Sequence, residues 1–225
     1  MTAPHMTPFI VGRYLEGGRA HFLPVSEAEI LRAAAAYQKI LRGLDIQPGR
    51  FLLIASMLEE TVQFSPLEQA AGGLGIKLLN TDATAFEAGR FEAALRHFDI
   101  AVVVGLTADL VDRLNEMGHA PARLLAGKTV WARPGAYDRL SGTPDIRLLH
   151  WLELGPTVAV ECHVAQGAHL DSREWSLSER NGEIRLTSLL PRLVPFANFP
   201  VTAIKGRVER SPCACGLSWP RILPY

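Results

Sequence analysis

The chain has 225 residues, 48% hydrophobic and 20% charged, which suits one large globular domain or two small ones. Its 23 Lys and Arg balance its 23 Asp and Glu, so no basic excess points to nucleic acid and no acidic excess to a disordered tail. The longest apolar runs, such as Ile100 to Leu106, are too short to cross a bilayer, and Met1 to Pro8 lacks the charged-then-apolar pattern of a secretory signal. A soluble, cytoplasmic protein that touches neither nucleic acid nor membrane is the expectation.

In chain order, the first long helix spans Ser26 to Leu44. Ser26 and Glu29 make a capping box, and Ile30, Leu31, Ala34, Tyr37, Ile40 and Leu41 share one face. Turn residues at Asp45 to Gly49 lead into a buried strand, Phe51 to Ser56. Helix at Ser65 to Gly72, strand at Gly75 to Leu79, helix at Thr84 to His97, strand at Ile100 to Val104 and helix at Ala108 to Met117 follow. Helices alternating with short Val/Ile/Leu strands predict a parallel sheet with covering helices. After Pro121 the texture changes: a strand at Lys128 to Ala132, then turns at Pro134-Gly135 and Ser141 to Pro144. From Thr157 the pattern is antiparallel, with strands at Val158 to Val164, Leu170 to Leu177 and Ile184 to Leu189, and turns at Gln166-Gly167 and Asn181-Gly182. The predicted class is α/β, a parallel sheet with covering helices followed by an antiparallel β subdomain. The division expected is residues 1–150 and 151–225, packed as one unit.

Three cysteines cannot form a closed disulfide framework, because pairing leaves one over. Cys162 stands alone, while Cys213 and Cys215 lie in a Cys-Ala-Cys-Gly turn. Taken alone, they read either as metal ligands or as small buried hydrophobes.

Five strings, in order, resemble the large domain of the phenylacetate–CoA ligase branch of adenylate-forming enzymes. They are Leu41-Arg42-Gly43-Leu44-Asp45 through Pro48-Gly49, Gly72-Gly73-Leu74-Gly75 into Leu79, Gly155-Pro156-Thr157-Val158-Ala159-Val160-Glu161-Cys162, Gly182-Glu183-Ile184 through Leu189, and Pro212-Cys213-Ala214-Cys215-Gly216 with Pro220-Arg221-Ile222. The resemblance covers Gly12 to Ile222. It implies a family whose reaction is ATP-dependent activation of a carboxylate as an acyl-adenylate, followed by transfer to coenzyme A.

The sequence departs from that family where it would hold ATP. The family's phosphate loop is rich in Ser, Thr and Gly; the corresponding stretch here is Arg13 to Ala20, where Gly18 and Arg19 remain, the hydroxyls are gone and Glu16 would repel a triphosphate. Ala203 stands where the family has the aspartate that holds the ribose, and a methyl group accepts no hydrogen bond. The motif whose glutamate helps to hold magnesium reads His150-Trp151-Leu152-Glu153. The adenine-pocket motif reads Trp131-Ala132-Arg133-Pro134, with a bulky indole in place of glycine. The family's hinge and lid, with its catalytic lysine, have no counterpart in these residues. Phosphoryl chemistry depends on positioning and charge, so together these departures predict a degenerate relative, with ATP and coenzyme A binding doubtful. Arg19, Glu153 and Arg133 are the polar candidates for any residual activity.

The resemblance also implies a structural zinc site. Members of the branch with the Cys-Pro-Cys-Gly string often carry a further cysteine and histidine, and the matching residues here are Cys162, His169, Cys213 and Cys215. Three thiolates and one imidazole form a common closed tetrahedral site. His163 is the rival imidazole, but in a strand it points to the opposite face from Cys162.

Trp175 and Trp219 read as packing anchors, and His21, His97 and His119 have no partner at catalytic spacing. Three functions compete. The first is a non-catalytic or auxiliary protein that binds a small carboxylic acid or acyl or aryl ligand. The second is an acyl-activating or acyl-transferring enzyme whose partner supplies the lid. The third is a structural subunit, a homodimer or part of a complex with a full-length homologue.

Overall fold

A computed structural model describes residues 7–225; residues 1–6, most of the Met1 to Pro8 stretch read for a signal, lie outside the described residues. A hairpin, β1 (Ile10–Glu16) and β2 (Arg19–Val25), opens the fold. Next come α1 (Glu27–Arg42), β3 (Phe51–Ala55), α2 (Thr61–Gly73), β4 (Lys77–Thr81), α3 (Ala88–His97), β5 (Ile100–Leu106) and α4 (Ala108–Glu116). A short α5 (Pro121–Leu124) precedes β6 (Thr129–Ala132), α6 (Pro134–Leu140) and β7 (Arg147–Glu153). The remaining strands are β8 (Val158–Glu161), β9 (Ala168–His169), β10 (Trp175–Arg180), β11 (Glu183–Ser188), β12 (Phe199–Glu209) and β13 (Arg221–Pro224).

The strands after the hairpin form one eleven-stranded sheet in the order β10-β11-β12-β13-β9-β8-β7-β6-β5-β3-β4. Strands β4, β3, β5, β6 and β7 run parallel, and from β8 onward every pairing is antiparallel, as the sequence predicts. All seven residues of β5 are buried, because helices cover both faces of the parallel part. Alternation in β3 divides the core: Leu52 and Ile54 join Tyr37, Leu41 and Leu67 under α1 and α2, whereas Leu53 and Ala55 join Phe91, Leu110 and Leu114 under α3 and α4. A third core packs the antiparallel strands against β2 and the start of α1, through Leu23, Ile30, Leu154, Leu177 and Ile184.

Several expected elements differ in detail. The helix expected from Ser65 begins at Thr61 and carries Pro66 inside it, which removes the amide that the Val62 carbonyl would accept. The turn expected at Pro134-Gly135 is the first turn of α6, where proline at N1 costs no hydrogen bond. The strand expected to reach Val164 stops at Glu161, and a turn closes from the Ala165 amide to the Cys162 carbonyl, 3.0 Å. The strand expected at Leu170 to Leu177 begins only at Trp175, as β10, because a turn at Asp171 occupies its first half, and β9 lies just before the expected range. Strands β1, β2, β7, β9, β12 and β13 carried no strand prediction of their own.

Candidate metal centre

The predicted zinc ligands converge. Cys162 follows β8, His169 ends β9, and Cys213 and Cys215 lie between β12 and β13. Antiparallel pairing places His169 opposite Val160 on one side and Arg221 on the other, so three adjacent strands bring the two sequence-distant segments together. Gly216, at φ +87°, lets the Cys213–Gly216 turn close. Ligand atoms of all four residues lie within 4.8 Å of one another. Cys162 Sγ is 3.8 Å from Cys213 Sγ, and Cys215 Sγ is 3.5 Å from His169 Nε2. A regular tetrahedron built on usual zinc bond lengths has S–S edges of about 3.8 Å and S–N edges of about 3.6 Å. The sulfurs are far too distant for a disulfide, which needs about 2.05 Å.

The electrostatics suit a cation. Burial pushes the Cys162 thiol up to about 12, against the lowering effect of the Val164 backbone. Burial also raises the Cys215 thiol, whereas for Cys213 burial is outweighed by the Cys215 backbone, the neighbouring thiols and Arg221, and the net shift is downward. Burial drives the His169 imidazole down to about 4, against the Trp219 backbone and with help from Arg221, so a neutral ring is available as a ligand. Three crowded sulfurs cannot all ionise unless a metal ion balances them. His163 lies on the exposed turn, against Gly43, where a Cβ would come within 2.7 Å of its Nδ1.

Arg133 and Glu153 also meet, although only a third residue explains how. The Arg133 guanidinium donates to both oxygens of Glu60, at 2.9 and 2.6 Å, and lies 3.1 Å from Glu153 Oε1. It also sits over the Phe64 ring at 5.9 Å. Burial raises the Glu153 carboxyl above its ordinary range, with Arg133 opposing and Glu60 adding to the rise. Glu60, the N-cap of α2, belongs to no sequence motif, so only the structure brings it to Arg133. Trp131 is fully buried, and its indole N–H donates to the Glu161 carbonyl at 2.7 Å. Arg19 is exposed at the start of β2, and no ion pair or hydrogen bond among the described residues joins it to Arg133 or Glu153.

The stretch matched to the phosphate loop, Arg13 to Ala20, is the tip of the β1–β2 hairpin with a two-residue turn at Gly17-Gly18. Gly17 and Gly18 both have positive φ, +55° and +78°, and Glu16 pairs with Arg19 across the strands. The Gly17 amide donates to Thr202 Oγ1, 3.1 Å away on β12, beside the exposed Ala203.

This is the fold of the large domain of adenylate-forming acyl-CoA ligases. A structure of 2-hydroxyisobutyryl-CoA ligase, in complex with its acyl-adenylate and CoA, superposes with TM-score 0.72 at 17% identity over 98% of this chain and 57% of that one. The o-succinylbenzoate CoA synthetase of Bacillus subtilis gives TM-score 0.57 at 14% identity over 97% and 50% of the two chains. A malonyl-CoA ligase gives 0.59 at 13% identity over 96% and 52%. The chain thus spans about half the length of these ligases. No family model and no curated protein matches the sequence. Among the described residues no helix is long and apolar enough to cross a membrane.

Proposed function

We propose that this chain is a degenerate relative of the phenylacetate–CoA ligase-like branch, a non-catalytic or auxiliary protein that binds a small acyl-type ligand and carries a structural zinc ion. The observation that carries this reading is the Arg133 cluster. The guanidinium at the position matched to the adenine motif is held by both oxygens of Glu60 and lies 3.1 Å from Glu153, the carboxylate matched to the magnesium motif, so it is not free to meet a triphosphate. The two-residue turn at Gly17-Gly18 offers no loop to wrap a phosphate, and Ala203 gives the ribose no acceptor. Zinc, when bound to Cys162, His169, Cys213 and Cys215, supplies cross-linking rather than chemistry, because four protein ligands leave no position for water.

Calorimetry should find ATP binding no tighter than about 1 mM, about −4 kcal/mol. Micromolar binding, or pyrophosphate release with any carboxylic acid, would overturn the reading. Elemental analysis of protein purified without chelator should find one zinc per chain, and its absence would return the cysteines to core packing.

A pairing role is the second reading, favoured by the outer face of the β1–β2 hairpin. Val11, Leu15 and Phe22 are exposed there, Phe22 at 85%. Sedimentation should show a dimer or complex that Phe22→Glu dissolves; an unchanged monomer for both proteins sinks this reading.

A further inference from the structure

The four residues of the candidate metal centre are unevenly exposed. Cys162 and Cys213 are buried, at 1% and 5%. Cys215 keeps part of its surface open, on a turn whose neighbours Ala214 and Gly216 are exposed. Thiols that solvent reaches, with a second thiol close behind, are the ones that oxidise and are then resolved by that neighbour. Here two further thiols lie within 4.8 Å of Cys215 Sγ.

The fold decides which of the two resolves it. Cys213 shares the turn with Cys215. The Gly216 amide donates to the Cys213 carbonyl at 3.0 Å, and the Cys213 amide donates to the Leu217 carbonyl at 3.3 Å. A Cys213–Cys215 bond would close a ring through one intervening residue inside that turn, where a short, stiff loop resists closure. Cys162 follows β8, in the distant segment, and carries no such constraint. Bringing its sulfur and that of Cys215 from at most 4.8 Å to the about 2.05 Å of a disulfide moves each by no more than about 1.4 Å. Cys162 and Cys213 are 3.8 Å apart, but both are buried, so an oxidant meets neither of them first.

Burial also favours the product. Thiolates that lose their cation leave unpaired negative charge away from water, whereas a disulfide is neutral.

We infer that the cluster is a redox switch in which a peroxide joins Cys162 to Cys215 and so expels the zinc ion, while the same two segments stay tied. The Cys215 thiolate attacks one peroxide oxygen; the O–O bond breaks, hydroxide leaves and a sulfenic acid forms. The Cys162 thiolate then attacks the Cys215 sulfur, the S–S bond forms and a second hydroxide leaves. The two sulfurs lose two electrons, the peroxide gains them, and two solvent protons convert the hydroxides to water. Cys213 and His169 are then the only ligands left, too few to retain the ion. The inference rests on the zinc site proposed above.

The test uses the full chain, purified under reducing conditions without chelator, freed of reductant and titrated with hydrogen peroxide. Zinc is followed with a chromogenic indicator, and thiol pairing by mass spectrometry of unreduced digests. By the electron count, a single equivalent of peroxide should release all the zinc and give a Cys162–Cys215 peptide pair, with Cys213 free to alkylate. Dithiothreitol with added zinc should restore the starting state. Cys162→Ser should stop at a Cys215 sulfenic acid that dimedone traps, whereas metal-free Cys213→Ser should still form the Cys162–Cys215 bond. A bond that includes Cys213, sulfinic acid on Cys215 without any disulfide, or zinc retained in a large excess of peroxide overturns the switch. Protein that holds no zinc before peroxide is added overturns the zinc reading and the release step with it. Zinc present at the start with no Cys162–Cys215 bond at the end overturns the switch alone.

Discussion

Glu153 lies within 3.1 Å of a guanidinium, yet its carboxyl holds its proton more tightly than an exposed glutamate, because burial outweighs Arg133 and Glu60 adds a second negative charge. The folded state therefore binds that proton better than the unfolded chain. Stability from this group is full below the ordinary glutamate range and is lost as pH rises through the elevated folded value. Glu153→Gln should consequently be more stable than the parent at pH 7.5, with the advantage vanishing near pH 4. Urea denaturation of both proteins at the two pH values checks this; a variant less stable than the parent at pH 7.5 would mean that the Arg133 attraction wins. The residues of this cluster were partly legible in the sequence: Arg133 and Glu153 by motif position, Glu60 not at all. Nothing in a linear pattern says that the residue before α2 will reach a strand end 73 positions later.

Among the elements, α1 was legible to within two residues because its ends are written locally. The Ser26 side chain accepts from the Glu29 amide and the Glu29 carboxylate from the Ser26 amide, as the capping box predicts. Strand β5 was legible as an unbroken apolar run, but its irregularity was not. The register shifts between Val104 and Leu106 at Gly105, where φ is +76° and a Cβ would strike the Ala55 carbonyl oxygen and Phe64 Cζ. Gly105→Ala should therefore cost more than about 3 kcal/mol, from strain plus a backbone clash. Gly17 has a similar φ, +55°, with nothing within 4 Å, so Gly17→Ala should cost only about 1 kcal/mol. Thermal unfolding separates the two, and similar losses would mean that conformation alone, not the Ala55 and Phe64 contacts, sets the cost at Gly105.

Across the molecule, the candidate metal site joins residues 51 positions apart, between the β8–β9 turn and the segment that returns β12 to β13. A metal bound by the folded state alone adds its binding free energy to stability. Cys213→Ser should release the metal and lower the melting temperature by about 10 °C, equivalent to about 3 kcal/mol in a chain of this size. His163→Ala should shift stability by no more than about 0.5 kcal/mol, since the side chain sits on an exposed turn. Calorimetric scans with zinc quantified in the same samples check both. A zinc-free but equally stable Cys213→Ser would reduce the centre to an ornament on a fold that holds without it.

The sequence by itself determined the parallel α/β half, the switch to antiparallel strands and, through the resemblance, which three cysteines and one histidine cluster. These rest on local signals: helical periodicity, caps, apolar strand runs, and rare residue types in recognisable strings. Only the tertiary structure decided that the two halves share one continuous sheet, with β7 parallel to one neighbour and antiparallel to the other. It likewise decided that Gly17-Gly18 is a tight hairpin turn and that Glu60 closes the Arg133 cluster. Each of these depends on which groups meet across tens of residues, and hydrogen bonding and burial between distant segments leave no period in the chain.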